Sequence, residues 1–108
     1  MADKLFVYGT LGLGRPNEHI LNNIGGTWEI ASVRGILKNE GWGAAMGFPG
    51  LELDECGNEI DGFVFTSENL AKHWTYLDEF EGAAYQRVVT QVQLKNGNAT
   101  YANIYKLR

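Results

Sequence analysis

Residues 86–106 of the chain read QRVVTQVQLKNGNATYANIYK, the clearest structural signal in the sequence. Two runs rich in β-branched and aromatic residues, 86–94 and 99–106, flank an Asn96-Gly97 pair. An Asn-Gly pair between two such runs is the strongest short-range signal for a hairpin turn. The stretch therefore predicts a β-hairpin.

Shorter apolar runs extend the β pattern toward the N-terminus. Along residues 27–37 the apolar positions change parity between Ile30 and Val33, which predicts a β-bulge or two short strands. The glycine-rich segment 40–50 is expected to be a functional loop. The predicted strands are 4–8, 27–37, 51–53, 60–66, 86–94 and 99–106, with a turn at 54–58.

Two further segments predict helices. Pro16 suits the first turn of a short helix over residues 17–23, which the following glycine pair would end. Ser67 is the expected N-cap of a second helix over residues 68–80. Because most of the strands do not alternate with helices, we expect an α+β fold, a small, twisted, mainly antiparallel β-barrel with two helices. Residues 1–108 are expected to form one domain.

The composition argues against several classes of function. The chain has 108 residues, a net charge of −4 and scattered basic residues, so no nucleic-acid partner is expected. No apolar stretch approaches the ~20 residues of a membrane helix, and the first residues lack a signal-peptide layout. We therefore expect a cytoplasmic protein without a membrane partner. Cys56, His19 and His73 cannot form a closed Cys/His zinc site, so no metal is expected.

The second predicted helix carries the most informative acid. Counting from Leu70 at 100° per residue, Leu77 and Glu81 lie within about 20° of it, and Glu79 lies on the opposite side. A carboxylate directed along an apolar stripe loses hydration, which raises its pKa and lets it exchange a proton near neutral pH. Alternatively, the helix ends before Glu81, and this residue only caps a loop or pairs with Arg87.

A glycine-rich turn follows the first predicted strand and reads Tyr8-Gly9-Thr10-Leu11-Gly12. Converging backbone N–H groups in such a turn can hold an anion. The glycine spacing matches neither the dinucleotide-binding fingerprint nor the phosphate loop of nucleotide-binding proteins. The alternative is a purely structural tight turn that needs positive φ.

Two motifs in the chain resemble the signatures of the γ-glutamylcyclotransferase-like (AIG2-like) superfamily. The first is FVYGTL at 6–11 with GRPN at 14–17, and the second, about 70 residues later, is LDEFEG at 77–82 with YQR at 85–87. Weaker likenesses lie between them, at 35–37, 47–50 and 60–65. The Tyr-Gly-Thr-Leu form and the Gly-x-Pro-Asn continuation are most similar to the γ-glutamylamine cyclotransferase branch.

The resemblance implies a reaction and a set of site residues. The reaction is the release of 5-oxoproline from a small γ-glutamyl compound, without a metal or an organic cofactor. The family motif places the general acid/base at Glu81. The implied substrate-binding residues, which hold the γ-glutamyl group through the loop or line the pocket, are Tyr8, Gly9, Thr10, Leu11, Tyr85 and Tyr105.

Two other classes of function stay open. The chain could be a non-catalytic sensor that binds a γ-glutamyl or other amino-acid-like ligand in the same pocket. It could also be an interaction module in which the pocket has lost its role. The enzyme is favoured because both the loop and the acid are present.

Overall fold

The computed structural model of the protein describes residues 3–39 and 50–108. The predicted loop over 40–50 and the likeness at 47–50 therefore lie, apart from Gly50, outside the described residues. The described elements are the strands β1 Asp3–Val7, β2 Thr27–Lys38, β3 Gly50–Leu53, β4 Asn58–Ser67, β5 Tyr85–Leu94 and β6 Ala99–Leu107, and the helices α1 Glu18–Ile24 and α2 Trp74–Glu81.

The strands form a closed barrel. Their order is β3-β2-β4-β1-β6-β5, and an additional pairing between β2 and β5 joins Ala31 to Leu94 and Ser32 to Gln93. Five strands therefore close on themselves, and β3 is attached outside the ring to β2. The pair β1–β6 is parallel, and the other pairs are antiparallel. The predicted α+β fold, a small, mainly antiparallel barrel with two helices, is confirmed.

Alternating side chains of the strands divide the core into two clusters. The cluster without helical residues fills the barrel and consists of Phe6, Ala31, Val33, Leu51, Ile60, Val64, Val92, Ala102 and Ile104. The other cluster, here called the outer core, lies between the barrel and the helices and consists of Leu5, Val7, Leu11, Leu21, Phe65, Leu70, Leu77, Tyr85, Tyr105 and Leu107. Among the described residues, none of the helices combines the length and apolar character needed to cross a membrane.

The predicted break within residues 27–37 is wrong. Strand β2 is continuous, and its register against β4 runs without interruption over nine residue pairs. The apolar positions change parity because the two halves of the strand face different cores. Trp28 packs against the outer core, whereas Ala31 and Val33 face the barrel interior. Ile30, which shares the face of Trp28 in the sequence pattern, is 51% exposed.

The predicted helix over 68–80 begins later than expected. A single 3₁₀ turn at Leu70–Lys72 comes first, and α2 starts only after it. The Ser67 hydroxyl accepts a hydrogen bond from the Asn69 N–H (3.0 Å) and donates one to the Gly25 carbonyl (2.5 Å). Ser67 therefore caps this turn and ties it to the end of α1, but it is not the N-cap of α2.

The hairpin and the first helix agree with the predictions to within one or two residues. Strands β5 and β6 pair over their whole length, and Gly97 in the connection has a φ of 94°. Helix α1 ends at Gly25, whose φ of 86° is a conformation that glycine adopts without strain. The predicted glycine stop is confirmed.

Gly62 in β4 allows β1 and β4 to approach closely. A Cβ atom at this position would lie 2.3 Å from the Val7 carbonyl oxygen and 2.7 Å from Cζ of Phe6. The carbonyl cannot move unless the two strands separate. We therefore expect Gly62→Ala to lower the free energy of unfolding by about 1–3 kcal/mol in urea titrations. Gly9→Ala is the matched control, since a Cβ there meets nothing within 4 Å. Equal losses in the two variants would contradict this account.

Candidate active site

Glu81 is the last residue of α2. The helix ends at Gly82, which has a φ of 86° and donates its N–H to the Asp78 carbonyl at 3.0 Å. Glycine adopts this left-handed conformation readily, which makes Gly82 an effective stop signal. The helix therefore runs through Glu81, and the alternative in which it ends earlier is wrong.

The side chains in the last turn of α2 point in the directions that the helical period of 100° per residue predicts. Leu77 is fully buried in the outer core, whereas Asp78 and Glu79 are exposed. Glu81 follows Leu77 by one helical turn and is partly buried. Of the three acids in this turn, Glu81 is the one that follows the buried face of the helix.

Burial gives the Glu81 carboxyl group an unusual proton affinity. Loss of hydration raises its pKa from 4.5 to about 7. Burial also raises the pKa of the Tyr8, Tyr85 and Tyr105 hydroxyls, and the Glu81 charge raises each of them further. Because electrostatic effects fall off with distance, Glu81 lies close enough to these three hydroxyls for its charge to disfavour their ionisation. The structure thus brings together four of the predicted site residues.

The sequence left open a pairing of Arg87 with Glu81, but the structure pairs Arg87 with Asp78. Nε of Arg87 donates to Oδ1 of Asp78 at 2.9 Å, and Nη2 donates to Oδ2 at 3.4 Å. The Tyr105 hydroxyl donates to the same Oδ1 at 2.6 Å. Arg87 is therefore engaged by Asp78, and burial raises the pKa of Glu81.

Tyr8 joins three strands through its hydroxyl group. The hydroxyl donates to the Tyr105 carbonyl at 2.6 Å and accepts the Leu51 N–H at 3.1 Å. These bonds connect the end of β1 to β6 and to β3. Because the single hydroxyl proton is directed at a backbone carbonyl, Tyr8 positions the loop that follows it and is not a ready donor to a ligand.

The loop after Tyr8 combines an anchored part with an open part. The Gly9 carbonyl accepts the Gly12 N–H at 3.1 Å, and the Thr10 carbonyl accepts the Asn17 N–H at 2.8 Å. Thr10 and Leu11 are buried, whereas the space beside the Gly9 Cα is open within 4 Å. The loop therefore exposes backbone at Gly9 while its next two residues hold it in place.

The loop and the helix meet in the outer core. Leu11 of the loop belongs to the same cluster as Leu77, Tyr85 and Tyr105. The two motifs, about 70 residues apart in the sequence, therefore contribute to one region of the molecule. This is the arrangement that a shared site requires.

Among the described residues, two cavities lie near this region, and the lining of neither includes Glu81. One, of about 620 Å³, lies along β4, β2 and β5 and touches Tyr8 and Gly9. The other, of about 470 Å³, lies beside the end of α2 and is bordered by Asp78, Tyr85 and Tyr105. The first cavity is larger. The candidate site is nevertheless assigned from Glu81, because a strongly shifted pKa indicates a catalytic centre better than cavity volume does.

Sequence reasoning missed the role of Asp78. Its partners lie on β5 and β6, 9 and 27 residues further along the chain, so no local pattern shows the contact. The available signal was the motif itself, since both Asp78 and Arg87 fall within the second signature. In the described part of the chain, no group of three or more His, Cys, Asp or Glu side chains is placed to hold a metal ion.

The fold and this site define a small barrel with a carboxyl group of raised pKa at the end of a short helix. The chain belongs to the gamma-glutamyl cyclotransferase, AIG2-like family, whose model matches residues 5–108. A comparison with curated proteins gives no match.

Solved structures of similar fold come from bacteria and animals. YkqA from Bacillus subtilis superposes with a TM-score of 0.74 at 29% identity over 100% of this chain, which spans only 36% of that protein. An AIG2-like protein from Mus musculus gives a TM-score of 0.68 at 25% identity, over 97% of this chain and 76% of that one. A gamma-glutamyl cyclotransferase gives a TM-score of 0.72 over 100% of this chain and 68% of its own length. At 17% identity, it supports the fold alone.

The raised pKa of Glu81 has a consequence for stability. Between its reference pKa of 4.5 and its folded value of about 7, the folded state binds more protons than the unfolded chain. The free energy of unfolding therefore falls as the pH rises through this range, by at most ~3 kcal/mol. Glu81→Gln removes this effect, so its stability relative to wild type should grow from pH 4 to pH 8 in urea titrations. For Glu79→Gln, an exposed control, a similar growth would contradict the assignment.

Proposed function

We propose that the protein is a γ-glutamylcyclotransferase-type enzyme that releases 5-oxoproline from a γ-glutamyl amine or a γ-glutamyl amino acid. The observation that carries the proposal is the Glu81 carboxyl group, whose pKa burial raises to about 7 and whose charge acts on the hydroxyl of Tyr8, at the start of the loop. Family membership supports the same reaction class. The Tyr-Gly-Thr-Leu form of the loop favours the γ-glutamylamine branch.

In this reaction the substrate supplies its own nucleophile. The α-amine attacks the γ-carbonyl carbon, a C–N bond closes the five-membered ring, and the original amide C–N bond breaks to release the amine. Because nucleophile and carbonyl belong to one molecule, correct orientation supplies much of the acceleration. Well-oriented intramolecular reactions reach effective molarities of ~10⁵–10⁸ M. The enzyme's remaining task is to move protons.

Glu81 is suited to both proton transfers. As a carboxylate it takes a proton from the α-ammonium group, which leaves the amine lone pair free to attack. As a carboxylic acid it returns that proton to the departing nitrogen, and the ring nitrogen, which is still positively charged after the attack, gives its extra proton to the released amine. A group with a pKa near the operating pH is populated in both forms and serves both steps. The mechanism uses no metal or organic cofactor.

The loop would hold the γ-glutamyl part of the substrate. The N–H groups of Gly9, Thr10 and Leu11 would bind the α-carboxylate or the oxyanion that develops on the γ-carbonyl oxygen. The open space beside Gly9 allows a ligand to approach the backbone. Tyr85 and Tyr105 would form walls of the pocket. We place this activity in the cytoplasm, without nucleic-acid or membrane partners.

The activity can be tested with a panel of γ-glutamyl amines, γ-glutamyl amino acids and glutathione. We expect at least one compound to yield 5-oxoproline, detected by mass spectrometry. Melting temperatures measured with the same compounds separate the alternative function. A ligand that raises the melting temperature without forming product would favour a sensor and refute the enzyme.

Substitution of the acid tests the mechanism. We expect Glu81→Gln to lower kcat by about 10²–10⁴-fold, because Gln keeps the size and polarity of Glu but cannot transfer a proton. Folding and ligand binding should persist, as measured by circular dichroism and thermal shift. Glu79→Gln is the matched control, since its side chain is exposed on the same turn. Wild-type rates for Glu81→Gln, or an equal loss for Glu79→Gln, would show that the acid/base is assigned to the wrong residue.

A further inference from the structure

The proposed mechanism leaves one cluster of polar side chains beside Glu81 without a role. At its centre, Arg87 on β5 makes a two-point ion pair with Asp78 on α2, at 2.9 and 3.4 Å. The Tyr105 hydroxyl donates to the same carboxylate at 2.6 Å. Burial by itself would raise the pKa of Asp78, but the hydrogen bonds from Arg87 and Tyr105 lower it below its usual value. Asp78 is therefore held as an ionised acceptor.

The other surfaces of the Arg87 guanidinium are also engaged. It lies over the Trp74 ring, 4.3 Å from the ring centroid, one helical turn before Asp78. Nη1 donates to Oδ1 of Asn103 at 3.2 Å, and Nδ2 of Asn103 donates to the Lys4 carbonyl at 3.2 Å. Arg87 thus connects both turns of α2 to β5, β6 and β1. Such a fixed, planar fork cannot be reproduced by a lysine.

Helix α2 needs these anchors because it is short. It has eight residues, and isolated helices below ~12–15 residues are marginal in water. Leu77 holds it from the buried side, and Asp78 holds it from the exposed side. At 100° per residue, the direction of Glu81 falls between them, about 40° from Leu77 and about 60° from Asp78. The two anchors therefore fix the rotation of the turn that carries Glu81.

The same ion pair holds the positive charge of Arg87 at Asp78. Asp78 and Glu81 are three residues apart on α2, so their side chains are neighbours on the helix surface, and Arg87 is bonded to Asp78. A guanidinium released from Asp78 would therefore have Glu81 within reach. Among the described residues, the titratable and charged groups around Glu81 are Tyr8 directly after β1, Tyr85 and Arg87 from β5, Tyr105 from β6, and Asp78 from α2 itself.

We propose that Asp78 and Arg87 are positioning residues for Glu81: their ion pair sets the direction of the Glu81 carboxylate and keeps the guanidinium away from it. The inference rests on the proposed function of Glu81 as acid/base. Without this pair, the helix end would loosen and the released cation would hold Glu81 as an unreactive carboxylate.

The test is a pH titration of the Glu81 carboxyl carbon by ¹³C NMR, with the signal assigned through Glu81→Gln. We expect Asp78→Asn to lower the titration midpoint by about one pH unit, because an opposite charge within ~4–6 Å favours the ionised form. Glu79→Gln removes the same charge from the neighbouring position without touching Arg87, and it should shift the midpoint much less. Equal shifts in the two variants, or none in Asp78→Asn, would overturn the proposal.

A double variant separates the effect of the ion pair on the position of α2 from its effect on the charge near Glu81. Asp78→Asn combined with Arg87→Met removes both members of the pair, so the midpoint should return close to the wild-type value. The kcat for 5-oxoproline release should nevertheless stay about 10-fold or more below wild type, because α2 has lost its outer anchor. If the midpoint stays low in the double variant, the guanidinium is not the cause of the shift, and the proposal fails.

A second single variant serves if Asp78→Asn does not fold. Arg87→Met removes the cation, so it should lower kcat without lowering the Glu81 midpoint. Wild-type kcat in this variant would refute the positioning role. If the wild-type protein forms no 5-oxoproline from any compound of the panel, the proposed function is refuted instead. The NMR titration would still decide whether the ion pair controls the titration midpoint of Glu81.

Discussion

The parallel pairing of β1 with β6 is the constraint on which the arrangement depends. It places Leu5 beside Asn103 and Phe6 beside Ile104, so segments nearly a hundred residues apart in the chain run side by side. The end of β1 then lies against β6, and the Tyr8 hydroxyl reaches the Tyr105 carbonyl. The loop after Tyr8 and the helix before β5 consequently share one core. No site could form from these two motifs without this pairing.

Placing a carboxyl group in this core lowers the stability of the fold at neutral pH, and the surrounding packing offsets that cost. Full burial of a leucine such as Leu77 contributes about 1.5–3 kcal/mol, which is similar in size to the penalty of ionising Glu81. The helix therefore holds a partly buried acid with one turn of apolar contact and one ion pair. Glu81 and Asp78 are three residues apart, but their pKa values are shifted in opposite directions. Burial raises the pKa of Glu81, whereas at Asp78 the hydrogen bonds from Arg87 and Tyr105 outweigh burial and lower the pKa.

Local patterns predicted the parts of the molecule whose causes are local. The Asn96-Gly97 turn, the helix stop at Gly25 and the inward direction of Glu81 follow from turn chemistry or helical period. The 3₁₀ turn before α2 did not, because Ser67 hydrogen-bonds to the distant Gly25 carbonyl. The parity change in β2 was seen but explained wrongly, since it reflects two cores that exist only in the folded barrel. The pairing of Arg87 with Asp78 was missed for the same reason: the partners meet through tertiary contacts.

The proton affinity of Glu81 also links ligand binding to proton exchange with the solvent. With a pKa of about 7, the carboxyl group is close to half protonated at pH 7. A ligand that brings a positive charge beside it would favour the ionised form and release a fraction of a proton, whereas a negative charge would draw one in. The heat of binding measured by calorimetry would then depend on the ionisation enthalpy of the buffer. The sign of that dependence would reveal the charge of the group that lies against Glu81.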